Sequence, residues 1–203
     1  MHDTRTHAVS APRLRSGDAL LLVDIQNDFL PGGALAVAQG DQIIPPLKRL
    51  IAEFARLDLT IIATRDWHPP DHCSFRAQGG PWPPHCVAGT LGAQFPAALL
   101  LPPGTHIISK ATRPEADAYS GFEGTDLLRQ LRAAGCTRVY IGGLATDYCV
   151  RATALDATAA GLEAIVLTDA VRAVDVQPGD GARALEEMGA HGARLLTTPQ
   201  VRT

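Results

Sequence analysis

Several features are missing from this chain of 203 residues, and each absence removes a class of function. No apolar run reaches the ~20 residues that a membrane-spanning helix needs. No run of lysine and arginine is present to follow a phosphate backbone, and the net charge is −3. Nucleic acid is therefore a poor partner for this sequence. The first 16 residues are polar and mixed in charge, without the continuous apolar core of a secretory signal. The expected compartment is the cytoplasm, where Cys73, Cys86, Cys136 and Cys149 stay reduced. None of the four forms a CxxC pair, so a zinc ribbon is excluded. No internal repeat and no second domain is visible.

What is present is 46% hydrophobic, enough for a globular core. Met1–Ser16 reads as a flexible tail carrying His2 and His7 as bystanders. Residues 17–203 read as one domain. Asp18–Asp24, Leu59–Thr64, Thr105–Ser109, Arg138–Gly142, Glu163–Thr168 and Ala193–Leu196 are short apolar runs with the character of buried strands. Helical spacing of apolar residues marks Gln42–Leu57, Thr125–Ala134, Asp147–Ala160 and Pro178–Met188. Pro45 and Pro46 fit only the first turn of the first of these. Alternating strands and helices predict an α/β three-layer sandwich: a six-stranded, mainly parallel sheet with helices on both faces.

In such a sheet, sites form beyond the carboxyl ends of the strands. There stand Asp24, then Asp66, His68 and His72, then Lys110, then the segment Gly142–Cys149. Cys149 falls in the first turn of a helix, whose free N–H groups favour a thiolate and can hold an oxyanion. A buried, inert cysteine is the plainer reading of that residue alone. Asp24 is either the base for that thiol or a turn aspartate ahead of Gln26-Asn27-Asp28. Lys110 supplies charge to both, or is a solvated lysine. Cys136 lies at the opposite edge and reads as structural.

Residues 65–90 form a long stretch rich in Pro, Gly and His, and long structureless segments are usually functional. Asp66, His68, His72 and, further on, His85 offer one carboxylate and three imidazoles, a set suited to one divalent ion: zinc first, with iron or manganese as alternatives. Asp71, Cys73 and Cys86 rank below them as ligands. Phe29, Trp82 and Tyr119 lie near these motifs, either as a clamp for a flat ring or as ordinary packing. His106 and His191 receive no role.

Taken together, Val23-Asp24-Ile-Gln26-Asn27-Asp28-Phe29, Asp66-Trp-His68-Pro-Pro-Asp-His72, Trp82-Pro-Pro-His85-Cys86, Lys110, Ala118-Tyr119-Ser120-Gly121-Phe122 and Gly143-Leu-Ala-Thr-Asp-Tyr-Cys149-Val resemble the nicotinamidases of the isochorismatase-like hydrolase superfamily. The resemblance runs from about Leu20 to Leu196. It implies that Asp24, Lys110 and Cys149 form a catalytic triad. It implies that the N–H groups of Ala145 and Cys149 form the oxyanion hole, with a cis peptide between Leu144 and Ala145. Asp66, His68, His72 and His85 would bind the metal, and Phe29, Trp82 and Tyr119 would line the ring pocket. The implied reaction turns nicotinamide into nicotinate and ammonia, with pyrazinamide as a second substrate and NAD salvage as the setting. Self-association into a homo-oligomer stays open.

Overall fold

The computed structural model describes residues 12–202, so His2 and His7 lie outside the described residues. Six strands alternate with four helices: β1 (Asp18–Val23), α1 (Ile44–Arg56), β2 (Thr60–Asp66), β3 (His106–Lys110), α2 (Leu127–Ala133), β4 (Arg138–Leu144), α3 (Arg151–Ala159), β5 (Glu163–Arg172), α4 (Asp180–Ala190) and β6 (Arg194–Leu196). The strand order is β3-β2-β1-β4-β5-β6. Every neighbouring pair is parallel, so the sheet goes beyond the mainly parallel expectation.

Side chains alternate across the pleat and divide the core in two. Leu20 and Leu22 of β1 pack with Leu47, Leu50, Ile51 and Phe54 of α1 on one face. Ala19, Leu21 and Val23 pack on the other face with residues of α2, α3 and α4, such as Leu131, Ala157 and Met188. Because both faces are covered, β1 is apolar at every position between Asp18 and Asp24. Pro45 and Pro46 occupy the first turn of α1, where a missing N–H costs nothing. At the amino edge of the sheet, Asp18 and Arg138 form a buried two-pronged pair at 2.8 and 2.7 Å. Part of the expected tail is tied down there: Leu14 N donates to Arg202 O at 2.8 Å, and Arg202 N donates to Pro12 O at 3.0 Å.

Four strands run past the end of their apolar segments. β2 and β3 stay in register to Asp66 and Lys110, and β4 and β5 stay paired to Leu144 and Arg172. Ladder bonds come from the backbone, so polar residues can extend a strand that composition would end. The chain after β1 leads to α1 on one face, whereas the chain after β4 leads to α3 on the other. This reversal opens a crevice between the carboxyl ends of β1 and β4.

Candidate active site

Lys110 is the hub of that crevice. Only 1% exposed, it sits at the end of β3. Its Nζ lies 2.9 Å from Asp24 Oδ2, 3.0 Å from Ala118 O and 3.5 Å from Cys149 Sγ. It also donates to Asp66 Oδ1. Asp24 leaves β1 with φ of 48°, and its Oδ1 accepts the Thr64 hydroxyl at 2.6 Å. Oxygens of Asp24 and Asp66 and the Cys149 sulfur all lie within 4.8 Å of one another. Lys110 accounts for that anionic grouping.

Electrostatics assign the protons. Burial would strip Lys110 of its charge, but Asp24 and Asp66 outweigh it and keep the ammonium charged. Burial raises the Asp24 carboxyl above its ordinary range; Lys110 opposes the rise and Asp66 adds to it. Burial would also raise Asp66, yet the Lys110 ammonium and His68 hold it well below the usual carboxylate range. Burial pushes the Cys149 thiol well up, against the pull of Lys110. Desolvation thus opposes the thiolate that the helix start favours, so a thiol held here calls for a base, and an Asp24 carboxylate oxygen lies within 4.8 Å of Sγ.

Cys149 does not open a regular helix. Thr146–Val150 form a wide π-type turn ahead of α3, entered through a cis peptide between Leu144 and Ala145. Ala145 and Cys149 both line one cleft. Phe29, Trp82 and Tyr119 stand in its wall, with Asp66 and His85 beside them. Trp82 Nε1 donates to the Tyr119 hydroxyl oxygen Oη at 3.2 Å. Leu35, Tyr148 and Val174 complete the wall and were not anticipated. Tyr148 meets Trp82 edge-on at 5.2 Å between ring centres. Its place beside Cys149 was a usable signal; a lone Leu35 or Val174 in a loop gives none. Asp147, also unanticipated, accepts the Val174 and Asp175 N–H groups at 3.0 and 2.9 Å and fixes that side of the wall.

The segment 65–90 is ordered by its own backbone. His68 N donates to Cys86 O at 3.0 Å, and Ala88 N donates to His68 O at 2.8 Å. These bonds bring His85 against His68, with ring centres 4.9 Å apart. One ligand-type atom each from Asp66, His68 and His85 lies within 4.8 Å of the others, and all three residues are buried. Nδ1 of His68 faces Ala111 O at 3.2 Å and Nδ1 of His85 faces Pro83 O at 2.8 Å, which fixes each ring and leaves Nε2 free. Burial lowers the His85 pKa, so its imidazole is neutral and able to ligate. One carboxylate and two such imidazoles suit zinc, iron or manganese.

The structure does not bring His72 into this group. Its Nδ1 meets Ser74 Oγ at 2.7 Å and its Nε2 meets Ala116 O at 3.2 Å, so both nitrogens are engaged. Its ring instead stacks on His68, with centres 4.2 Å apart. Cys86 is fully buried and does not join the Asp66, His68 and His85 group.

The isochorismatase domain model matches residues 18–200. The chain belongs to the isochorismatase family. A nicotinamidase of Escherichia coli is 40% identical over 200 residues, spanning 88% of this chain and 94% of that protein. Among solved structures, the pyrazinamidase of Pyrococcus horikoshii in complex with zinc is 54% identical, with a TM-score of 0.85 over 89% of this chain and 99% of that one. A protein of L. infantum in complex with nicotinate is 36% identical, with a TM-score of 0.84 over 95% and 98% of the two chains. Among the described residues, no helix is long and apolar enough to cross a membrane.

Proposed function

We propose that the protein is a nicotinamidase that hydrolyses nicotinamide to nicotinate and ammonia through a thioester on Cys149. The observation that carries this reading is the position of Lys110 Nζ, 2.9 Å from Asp24 and 3.5 Å from the Sγ of Cys149, a residue that lines an aromatic-walled cleft. Asp24 takes the thiol proton as Sγ attacks the carboxamide carbon. The N–H groups of Ala145 and Cys149 hold the carbonyl oxygen as it gains charge. Asp24 returns the proton to the leaving nitrogen and ammonia departs. Water, deprotonated by the same carboxylate, then cleaves the thioester and frees the acid. Lys110 stays charged throughout and steadies both anions.

Phe29, Trp82, Tyr119 and Tyr148 enclose the flat ring. Asp66, His68 and His85 hold one divalent ion, zinc first; when bound it supplies a Lewis-acidic partner for the ring nitrogen. His72 backs the ring of His68 and is not a direct ligand. Pyrazinamide, with a ring of the same size, is a second substrate. Residues 17–203 act as one catalytic domain, and the reaction returns nicotinamide to NAD synthesis. The Asp66, His68 and His85 group and the polar triad favour this reading over an isochorismatase, whose reaction cuts no carboxamide.

The test is ammonia release from nicotinamide by the purified chain, before and after chelation, with zinc, iron or manganese restored. Activity should fall on chelation, return with metal and be lost in Cys149→Ala. Folded protein with a free Cys149 thiol that is inert with every metal would refute the assignment.

A further inference from the structure

We infer that Gln26 is the positioning residue that sets the Asp66 carboxylate between Lys110 and the imidazole pair; this rests on the metal reading above. Alternate residues of β2 direct both backbone groups toward β1 or toward β3. Asp24 N donates to Thr64 O at 3.2 Å, so the next residue facing β1 is Asp66. By then β1 has left the sheet: Asp24 turns away, and its carbonyl accepts Gln26 N at 2.9 Å. The Asp66 N–H and C=O therefore point into a gap in the ladder.

The Gln26 side chain fills that gap. Its Oε1 accepts Asp66 N–H at 2.8 Å, and its Nε2 donates to Asp66 O at 2.8 Å. The second Nε2 proton goes to Ala93 O at 2.9 Å. The side chain is 0% exposed. A carboxamide has the same donor and acceptor as a peptide group, so here it replaces one missing rung of the sheet. Only the orientation with Nε2 facing the two carbonyls satisfies every partner. On its other side Asp66 is held through Trp67 N, which donates to Lys110 O at 3.1 Å. Asp66 is thus gripped on both sides of its backbone. Its Oδ1 meets Lys110, and its Oδ2 faces His68 Nε2 at 3.7 Å. If the grip is released, the carboxylate drifts from both partners at once.

The test is cobalt(II) chloride titrated into the chelator-stripped full chain and read by visible ligand-field absorption. Gln26→Met keeps the length and loses all three hydrogen bonds. It should bind cobalt(II) about 10–100-fold more weakly, the usual size of an outer-contact effect, with altered bands. Met188→Ala, a cavity in the core between α4 and the sheet, serves as the stability control and should leave affinity and bands unchanged. If Gln26→Met fails to fold, Gln26→Glu, which keeps the acceptor and loses both donors, gives the same reading. Wild-type affinity and bands in the Gln26 variant would overturn the inference while the metal reading stands. No cobalt bands in the unsubstituted chain would overturn the metal reading itself, and this inference with it.

Discussion

Gly143 is the glycine on which the catalytic loop depends, and adding one methyl group there tests the reasoning about the site. Gly143 lies in β4 beside Val23, two residues before Ala145, with φ of 137°. A Cβ at this position would sit 2.0 Å from Val23 O and 2.7 Å from Val23 C. Ordinary carbon contacts lie at about 3.5 Å, so β1 and β4 must part by more than about 1 Å. Backbone atoms on both sides leave no flexible end to yield. The φ value adds strain of about 1–3 kcal/mol for a residue with a side chain. Overpacking adds a further 1–3 kcal/mol or so. At about 2–4 °C per kcal/mol for a chain of this size, Gly143→Ala should melt roughly 5–20 °C below the parent. A shift of about 1 Å at Ala145 and Cys149 should also cut turnover about 100-fold in the protein that remains folded.

Two other glycines calibrate the result. At Gly142 the new Cβ meets Leu47 Cδ2 at 2.8 Å and Ala170 O at 3.1 Å, and the leucine methyl can move. Gly142→Ala should lose some stability and keep most of its turnover. At Gly189, near the end of α4, the nearest atom is 3.8 Å away, so Gly189→Ala should gain about 0.5–1 kcal/mol from helix propensity. Thermal melts and ammonia release at a temperature where all three are folded give the ranking. A Gly143→Ala protein with parental melting point and turnover would refute the account of how β4 positions Ala145 and Cys149.

Three further outcomes follow from contacts described above. Lys110→Met leaves Asp24 and Asp66 buried without their counter-charge; it should lose about 3–5 kcal/mol in urea unfolding, together with its activity. An undiminished stability would mean that the ion cluster is not formed. Arg138→Met should lose about the same by stranding Asp18, while Asp18→Leu with Arg138→Met together should recover most of it. Turnover per folded molecule should stay constant through that series, because the pair lies at the far edge of the sheet. Tyr148→Ala opens the ring wall, so KM for nicotinamide should rise several-fold with a smaller change in kcat; the reverse split would place Tyr148 in the chemistry.

Much of this was legible in the residues. A parallel sheet buried on both faces writes its strands as apolar runs, and the topology then places Asp24, Asp66, Lys110 and Cys149 at one edge without knowledge of any relative. Strand ends were less legible, because Asp66 and Lys110 extend the ladder through backbone groups that composition does not encode. His72 belongs to the same short motif as His68, but ring direction in a proline-stiffened turn depends on Ser74 and Ala116, which are not readable from spacing. The burial of Cys149 was not legible for a similar reason: it comes from the assembled layers, whereas the effect of the helix start is local. Leu35 and Val174 carry no chemistry of their own and become wall residues only once the loops converge.

The crevice draws its parts from both halves of the chain. Asp24, Asp66, His68, His85 and Lys110 precede the exposed turn at Glu123 and Gly124, and Ala145, Tyr148 and Cys149 follow it. Strand β1 of the first half pairs with β4 of the second along six register positions. A chain cut at that turn would give two pieces, one holding the acid and the basic side chains, the other the sulfur, each inert alone. Fused to two interacting partners, the pieces would make a split reporter whose signal is ammonia.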